Sequence, residues 1–126
     1  MKKLLFLLAI IPLFVMCKTN DPDLITKGDV TGTWYLTEIY DDSNDTWLNV
    51  SILNNYAKFN SNGTYSSLLI DETYSGTWEL NEKQIICDVS GYMVYYNIIE
   101  LSGNNGTFMM RYEDELTGTK MRAERK

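Results

Sequence analysis

The chain has 126 residues, with 11 lysines and arginines against 17 acids and no histidine, for a net charge of −6. That length predicts one domain. The acidic balance argues against nucleic acid, which needs a basic footprint, and the missing histidine removes Ser-His and Cys-His nucleophilic sites, histidine-ligated zinc and the commonest general base near neutral pH.

At the N-terminus, Lys2 and Lys3 precede an apolar run from Leu4 to Val15 that only Pro12 interrupts. Twelve residues fall short of the roughly 20 that a helix needs to cross a bilayer, and a basic head before such a run reads as an export signal. No small-residue cleavage site follows. The run stops at Phe14-Val15-Met16-Cys17 and turns polar at once with Lys18-Thr19-Asn20-Asp21. An apolar run that ends at a cysteine resembles a bacterial lipoprotein signal. The resemblance implies a signal peptide at 1–16 and lipidation of Cys17. It also implies a lipid-anchored place in the bacterial cell envelope, expected at the outer membrane, with the face left open. The alternative is an ordinary signal peptide that happens to include Cys17. Two or three acyl chains on one residue would give stable anchoring.

Without residues 1–16 the chain keeps 110 residues, with 9 bases against 17 acids and a net charge of −8. Such a domain is repelled by anionic lipid, so the membrane is expected as a partner through the anchor alone. Cys87 alternates in phase with Ile85 and Val89, which places it on the apolar face of a strand as a small buried hydrophobe. A Cys17–Cys87 disulfide stays open only if Cys17 carries no lipid. Residues 17–31 are polar and read as a flexible tether with one short helical turn or edge contact near Leu24-Ile25.

The domain is expected over residues 32–126. Gly32-Thr33-Trp34-Tyr35-Leu36 opens the first strand and recurs as Gly76-Thr77-Trp78-Glu79-Leu80. The strand period of two puts Trp34 and Leu36 on one face. Residues 41–55 read as a long polar loop. Tyr56 to Asn60 is a strand with Ala57 and Phe59 inward. Ser61-Asn62-Gly63 is a hairpin turn in which Asn-Gly supplies the positive φ. Further strands follow over 64–70, 74–80, 84–89, 92–101, 107–113 and 119–125, the last with Met121 and Ala123 inward. That makes eight strands joined mostly by short turns, with no amphipathic helical stretch of ten or more residues. The fold class predicted is all-β, an eight-stranded antiparallel up-and-down (meander) barrel, whose closure removes aggregation-prone edges.

Gly32-Thr33-Trp34 resembles the Gly-x-Trp signature of lipocalins and their calycin relatives. Lys58-Phe59-Asn60-Ser61-Asn62-Gly63-Thr64 and the second Gly76-Thr77-Trp78 are similar to small lipocalin-like domains of Bacteroidetes-type bacterial lipoproteins. The resemblance covers Gly32 to about Arg125. It implies a basic residue of the last strand over Trp34 at the closed end of the barrel, with Arg122 and Arg125 both eligible.

No catalytic residue, cofactor or metal is expected. The loop Asp41-Asp42-Ser43-Asn44-Asp45 has some calcium-loop character, but the twelfth position is Ile52 where a glutamate is needed. Glu113, Asp114 and Glu115 fall at a turn, where exposed charge is ordinary. Tyr92, Tyr95 and Tyr96 cannot all face inward from one strand. The candidate ligand-binding set at the barrel interior or mouth is Trp34, Leu36, Glu38, Phe59, Trp78, Phe108, Met110 and Tyr112; the alternative is that these side chains simply fill the core, since an eight-stranded barrel is only just wide enough to be filled or to hold one small ligand. Glu38 decides much: strict alternation turns it inward, where an unpaired carboxylate is costly, unless a bulge turns it out. Two functions follow. One is a non-enzymatic monomer that binds a small hydrophobic or amphipathic ligand in the barrel mouth. The other is an envelope accessory module that meets a protein or glycan through its outer face or loops.

Overall fold

A computed structural model describes residues 24–126. The signal segment, Cys17 and the first part of the tether lie outside the described residues. A four-residue helix, α1 (Lys27–Val30), precedes nine strands: β1 (Gly32–Asp41), β2 (Thr46–Asn49), β3 (Tyr56–Phe59), β4 (Thr64–Leu69), β5 (Glu72–Asn81), β6 (Gln84–Val89), β7 (Tyr92–Ser102), β8 (Asn105–Tyr112) and β9 (Thr119–Arg125). All pairings are antiparallel. From β3 to β9 each strand pairs with its successor, and β1 pairs with both β3 and β9. The result is a closed eight-stranded barrel.

The ninth strand, β2, lies inside the stretch that the sequence predicts as loop. It pairs only with the far half of β1, from Glu38↔Asn49 to Asp41↔Thr46. A 3-10 turn, Ser51–Leu53, then leads back to β3. Four residues are too few to show a period. Side chains that arrive from elsewhere hold β2 in place: Trp47 packs edge-on against Tyr40 with ring centres 5.3 Å apart, and the Arg122 guanidinium lies 3.8 Å from the Trp47 ring centre.

Strand directions give the barrel two distinct ends. α1, the hairpin turns after β3, β5 and β7, and the C-terminus share one end. The β1–β2 turn, the 3-10 turn, the turns after β4 and β6, and the β8–β9 loop share the other. The first end is closed. Asp29 Oδ2 accepts the Thr26 N–H at 2.9 Å and stabilises the start of α1, a reciprocal cap of the kind that satisfies orphan helix donors. Val30 is fully buried, so the last part of the expected tether belongs to the packed domain. Trp34 Nε1 donates to Val30 O at 2.7 Å. Arg125 covers the Trp34 ring at 5.0 Å and donates to the carbonyls of Asp29 and Thr31 at 2.9 and 3.1 Å. The family expectation of a basic cover is thus met by Arg125, while Arg122 covers Trp47. Gly32 is required here. Its φ is +131°, and a Cβ would lie 2.8 Å from Arg125 Cδ. The echo at Trp78 does similar work, since its Nε1 donates to Asn60 O at 2.8 Å and ties down the β3–β4 hairpin.

Aromatic rings fill the middle of the barrel. Phe59 lies 5.5 Å from each of Tyr65, Trp78 and Tyr96, and Trp34 meets Phe108 edge-on at 5.4 Å. Each such pair contributes about 0.5–1.5 kcal/mol beyond area burial. Leu36, Ile85, Cys87, Val94, Met121 and Ala123 complete the core. Cys87 is a free, fully buried thiol, and burial pushes it up and away from the reactive thiolate.

Candidate functional site

The candidate ligand set from the sequence divides sharply in space. Trp34, Leu36, Phe59, Trp78, Phe108 and Met110 are all buried in the core. The space left among Trp34, Leu36, Phe59, Tyr96, Phe108 and Met121 is about 10 Å³, room for at most one water. The hydroxyls of Tyr65, Tyr96 and Ser67 satisfy one another. The Tyr65 and Tyr96 hydroxyls lie 2.7 Å apart, and Tyr65 donates to Ser67 Oγ at 2.9 Å. Burial pushes both phenols up, so they stay neutral.

Glu38 leaves the interior. A register shift between Leu36 and Glu38 inserts an extra residue in β1. Glu38 therefore turns outward and accepts from Arg122 at 3.1 Å, and the next residue, Ile39, packs against the core. The pair is partly exposed and contributes little to stability. With Glu100, Ser102, Thr107 and Thr37 it borders a shallow polar groove of about 300 Å³ on the outer wall, well away from the aromatic interior.

Tyr112 is the one candidate that reaches the end of the barrel away from α1, the wide end. It is half-buried and joins two tyrosines outside that candidate set. Its ring centre is 6.1 Å from Tyr74 and 6.0 Å from Tyr92. Tyr74 donates to Glu72 and Tyr92 donates to Asp114 at 2.8 Å. These bonds to carboxylates push the Tyr92 phenol up to about 12 and raise Tyr74 as well, while burial raises Tyr112. Together with Ile39, Val50 and Val89, these rings form a partly exposed apolar floor packed on the core. Tyr74 was legible by stepping back two residues at a time from Trp78. Tyr92 and Tyr96 face inward, and Tyr95 faces outward beneath Arg111 at 4.7 Å.

The rim around this floor is both apolar and acidic. Ile52, Leu53, Ile70 and Leu116 project from three of its loops with exposures of 85, 56, 73 and 99%. The acids are Asp41, Asp42 and Asp45 at the β1–β2 turn, Asp71 and Glu72 at the β4–β5 turn, Asp88 beside the β6–β7 turn, and Glu113, Asp114 and Glu115 in the β8–β9 loop. Only Arg111 and Lys120 oppose them. The wide end thus carries nine acids and two bases, a net of −7, and the other described residues carry six of each and are neutral. Among the described residues, no group of His, Cys, Asp or Glu is arranged to hold a metal ion, and no helix is long and apolar enough to cross a membrane.

A closed eight-stranded barrel with an arginine over a first-strand Gly-x-Trp is a strong pointer to family. Residues 30–108 match the family model for the lipocalin-like domain. The chain belongs to the lipocalin-like domain family. A search of curated proteins finds no match. The lipocalin-like fold is generally a non-enzymatic binding fold, suited in general to small hydrophobic ligands. The match ends at Phe108 and so stops short of β9, the strand that pairs with β1 to close this lipocalin-like barrel.

Proposed function

We propose that this lipocalin-like protein is a non-enzymatic binder that holds a small amphipathic ligand at the wide end of its barrel, not in a deep central chamber. One contrast carries the reading. The space among Trp34, Phe59, Tyr96 and Phe108 is about 10 Å³, while Tyr74, Tyr92 and Tyr112 remain partly exposed on the wide-end floor. Half-buried tyrosines with one polar tip are well suited to contact a ligand that is part apolar and part polar. The chain is exported on its N-terminal signal and anchored through lipid on Cys17 at the bacterial outer membrane. A second reading, an envelope accessory module that meets another macromolecule, draws support from the exposed tips Ile52, Leu53, Ile70 and Leu116 around the same end.

Mass spectrometry of the full-length protein purified from its own host tests both parts at once. Native spectra are expected to show a co-purifying small molecule, and denatured spectra a covalent acyl mass that a Cys17→Ser variant lacks. Repeated absence of any non-covalent adduct contradicts ligand binding, and an unmodified Cys17 contradicts the anchor.

A further inference from the structure

Six of the eight described lysines and arginines lie against an aromatic ring. Lys27 faces Trp78, Arg111 Tyr95, Lys120 Tyr40, Arg122 Trp47, Arg125 Trp34 and Lys126 Tyr35, at 3.8–5.8 Å from ring centre to cation. Tyr74, Tyr92 and Tyr112 are absent from these pairs. The three rings form a continuous aromatic wall at the most negative part of the molecule, and no cation of the described chain covers it. A ring face attracts a cation. Donation of a phenol proton to a carboxylate, as from Tyr74 to Glu72 and from Tyr92 to Asp114, makes the ring richer in electrons and strengthens that attraction. The net charge of −7 at this end adds longer-range attraction of the same sign.

A separate observation at the wide end concerns the opposite wall. Asn55 is only 3% exposed. Leu36 N–H donates to its carbonyl, which continues the β1–β3 ladder one pair beyond Tyr35↔Tyr56. Asn55 therefore shares the inner face with Leu36. Its Nδ2 has no hydrogen-bond partner among the described residues. A buried amide donor without a partner is uncommon in folded proteins and calls for an explanation; an acceptor atom on a bound molecule supplies one.

Resting on the ligand-binding reading above, we infer that the ligand of the wide end is an organic cation: an amine or quaternary ammonium head on an apolar body that also carries a hydrogen-bond acceptor. The head lies on the Tyr74–Tyr112–Tyr92 wall beside Glu72 and Asp114. The body covers the floor at Ile39 and Val89. The acceptor meets Asn55 Nδ2. Aromatic walls of this type recognise quaternary ammonium groups by electrostatics without a directional hydrogen bond, so a methylated head is accepted as well as a primary amine.

Calorimetric titration of the full chain with decyltrimethylammonium and with decyl sulfate, both below their micelle concentrations, tests the head group at constant tail. The cation is expected to bind at least tenfold more tightly. Tyr92→Leu and Tyr112→Leu are each expected to reduce cation affinity about tenfold. Asp114→Asn keeps an acceptor for the Tyr92 hydroxyl while removing charge, and is expected to narrow the preference between the two head groups. Asn55→Leu is expected to weaken a decanoyl ester of choline, which adds a carbonyl acceptor, more than it weakens decyltrimethylammonium. Circular dichroism confirms that each variant is folded. Equal or tighter binding of the sulfate overturns the inference and leaves the ligand-binding reading standing. Failure of both amphiphiles to bind, together with empty native spectra, overturns both.

Discussion

Replacing Phe59 by alanine is expected to cost about 3–5 kcal/mol, the range for removing a large buried aromatic side chain. Phe59 is 1% exposed and is the ring around which Tyr65, Trp78 and Tyr96 converge. Its neighbours come from three different strands and are held by their own hydrogen bonds, Tyr96 through Tyr65 and Trp78 through Asn60. They cannot all collapse into the void, so a dry apolar cavity is expected to remain. Such cavities bind benzene-sized molecules. Benzene should therefore raise the Tm of Phe59→Ala and leave the wild-type Tm unchanged. A clear benzene shift in the wild type would mean that an open chamber already exists. If the alanine variant is too unstable to purify, Phe59→Leu gives a smaller cavity and a smaller loss for the same comparison.

Gly76→Ala is expected to be nearly as damaging for a different reason. A Cβ at Gly76 would run into the carbonyl of Asp88 and would lie 3.1 Å from Val89 Cα. Both are main-chain atoms of β6 or its edge, so no side chain can swing aside. The β5–β6 ladder ends at the adjacent pair Thr77↔Asp88, and the glycine lets the two strands converge there. Overpacking that only backbone movement can relieve costs about 3 kcal/mol, or on the order of 15 °C in Tm for a domain of this size. Gly63→Ala is the control. Gly63 has φ +91° but nothing within 4 Å of its missing Cβ, so only conformational strain of about 1 kcal/mol applies. Thermal melts should rank Gly76→Ala well below Gly63→Ala, and equal losses at the two sites would contradict the close approach of β5 and β6.

The two glycines show what a sequence reading resolves and what it misses. Gly63 declares itself, because Asn-Gly between two alternating runs signals a hairpin from local chemistry alone. Gly76 looks like part of a motif, yet its need for a bare Cα comes from a carbonyl twelve residues away. The same division holds elsewhere. Barrel architecture, strand order and inward faces were legible because alternation is written into each strand. β2 was not, since four residues held by Trp47 against Tyr40 and Arg122 carry no period. Strict alternation could not fix the direction of Glu38, because it turns outward only if a bulge intervenes. A bulge depends on how β1 meets β9 and reverses every side chain beyond it.

The candidate site followed the same logic. The sequence found the large inward rings, and these turned out to be the filling. The floor of the wide end uses Tyr74 and Tyr92; Tyr74 shares the period of Trp78, but its meeting with Tyr92 and Tyr112 depends on how three strands converge. Its charge was visible only as an overall excess of acids. Concentration of that excess at one end is a product of topology, which gathers the β1–β2, β4–β5, β6–β7 and β8–β9 connections around one mouth. The cationic partners of the other aromatic rings likewise come from across the sheet, as with Arg122 over Trp47 and Arg125 over Trp34.

Methyl-resolved NMR of the domain during titration with decyltrimethylammonium tests most directly the claim that this barrel is filled within and binds at its wide end. Shifts are expected at Ile39, Val50 and Val89 on the floor, with Ile85, Val94 and Met121 in the core left in place. Large shifts at those core methyls, or none at the wide end, would contradict the account.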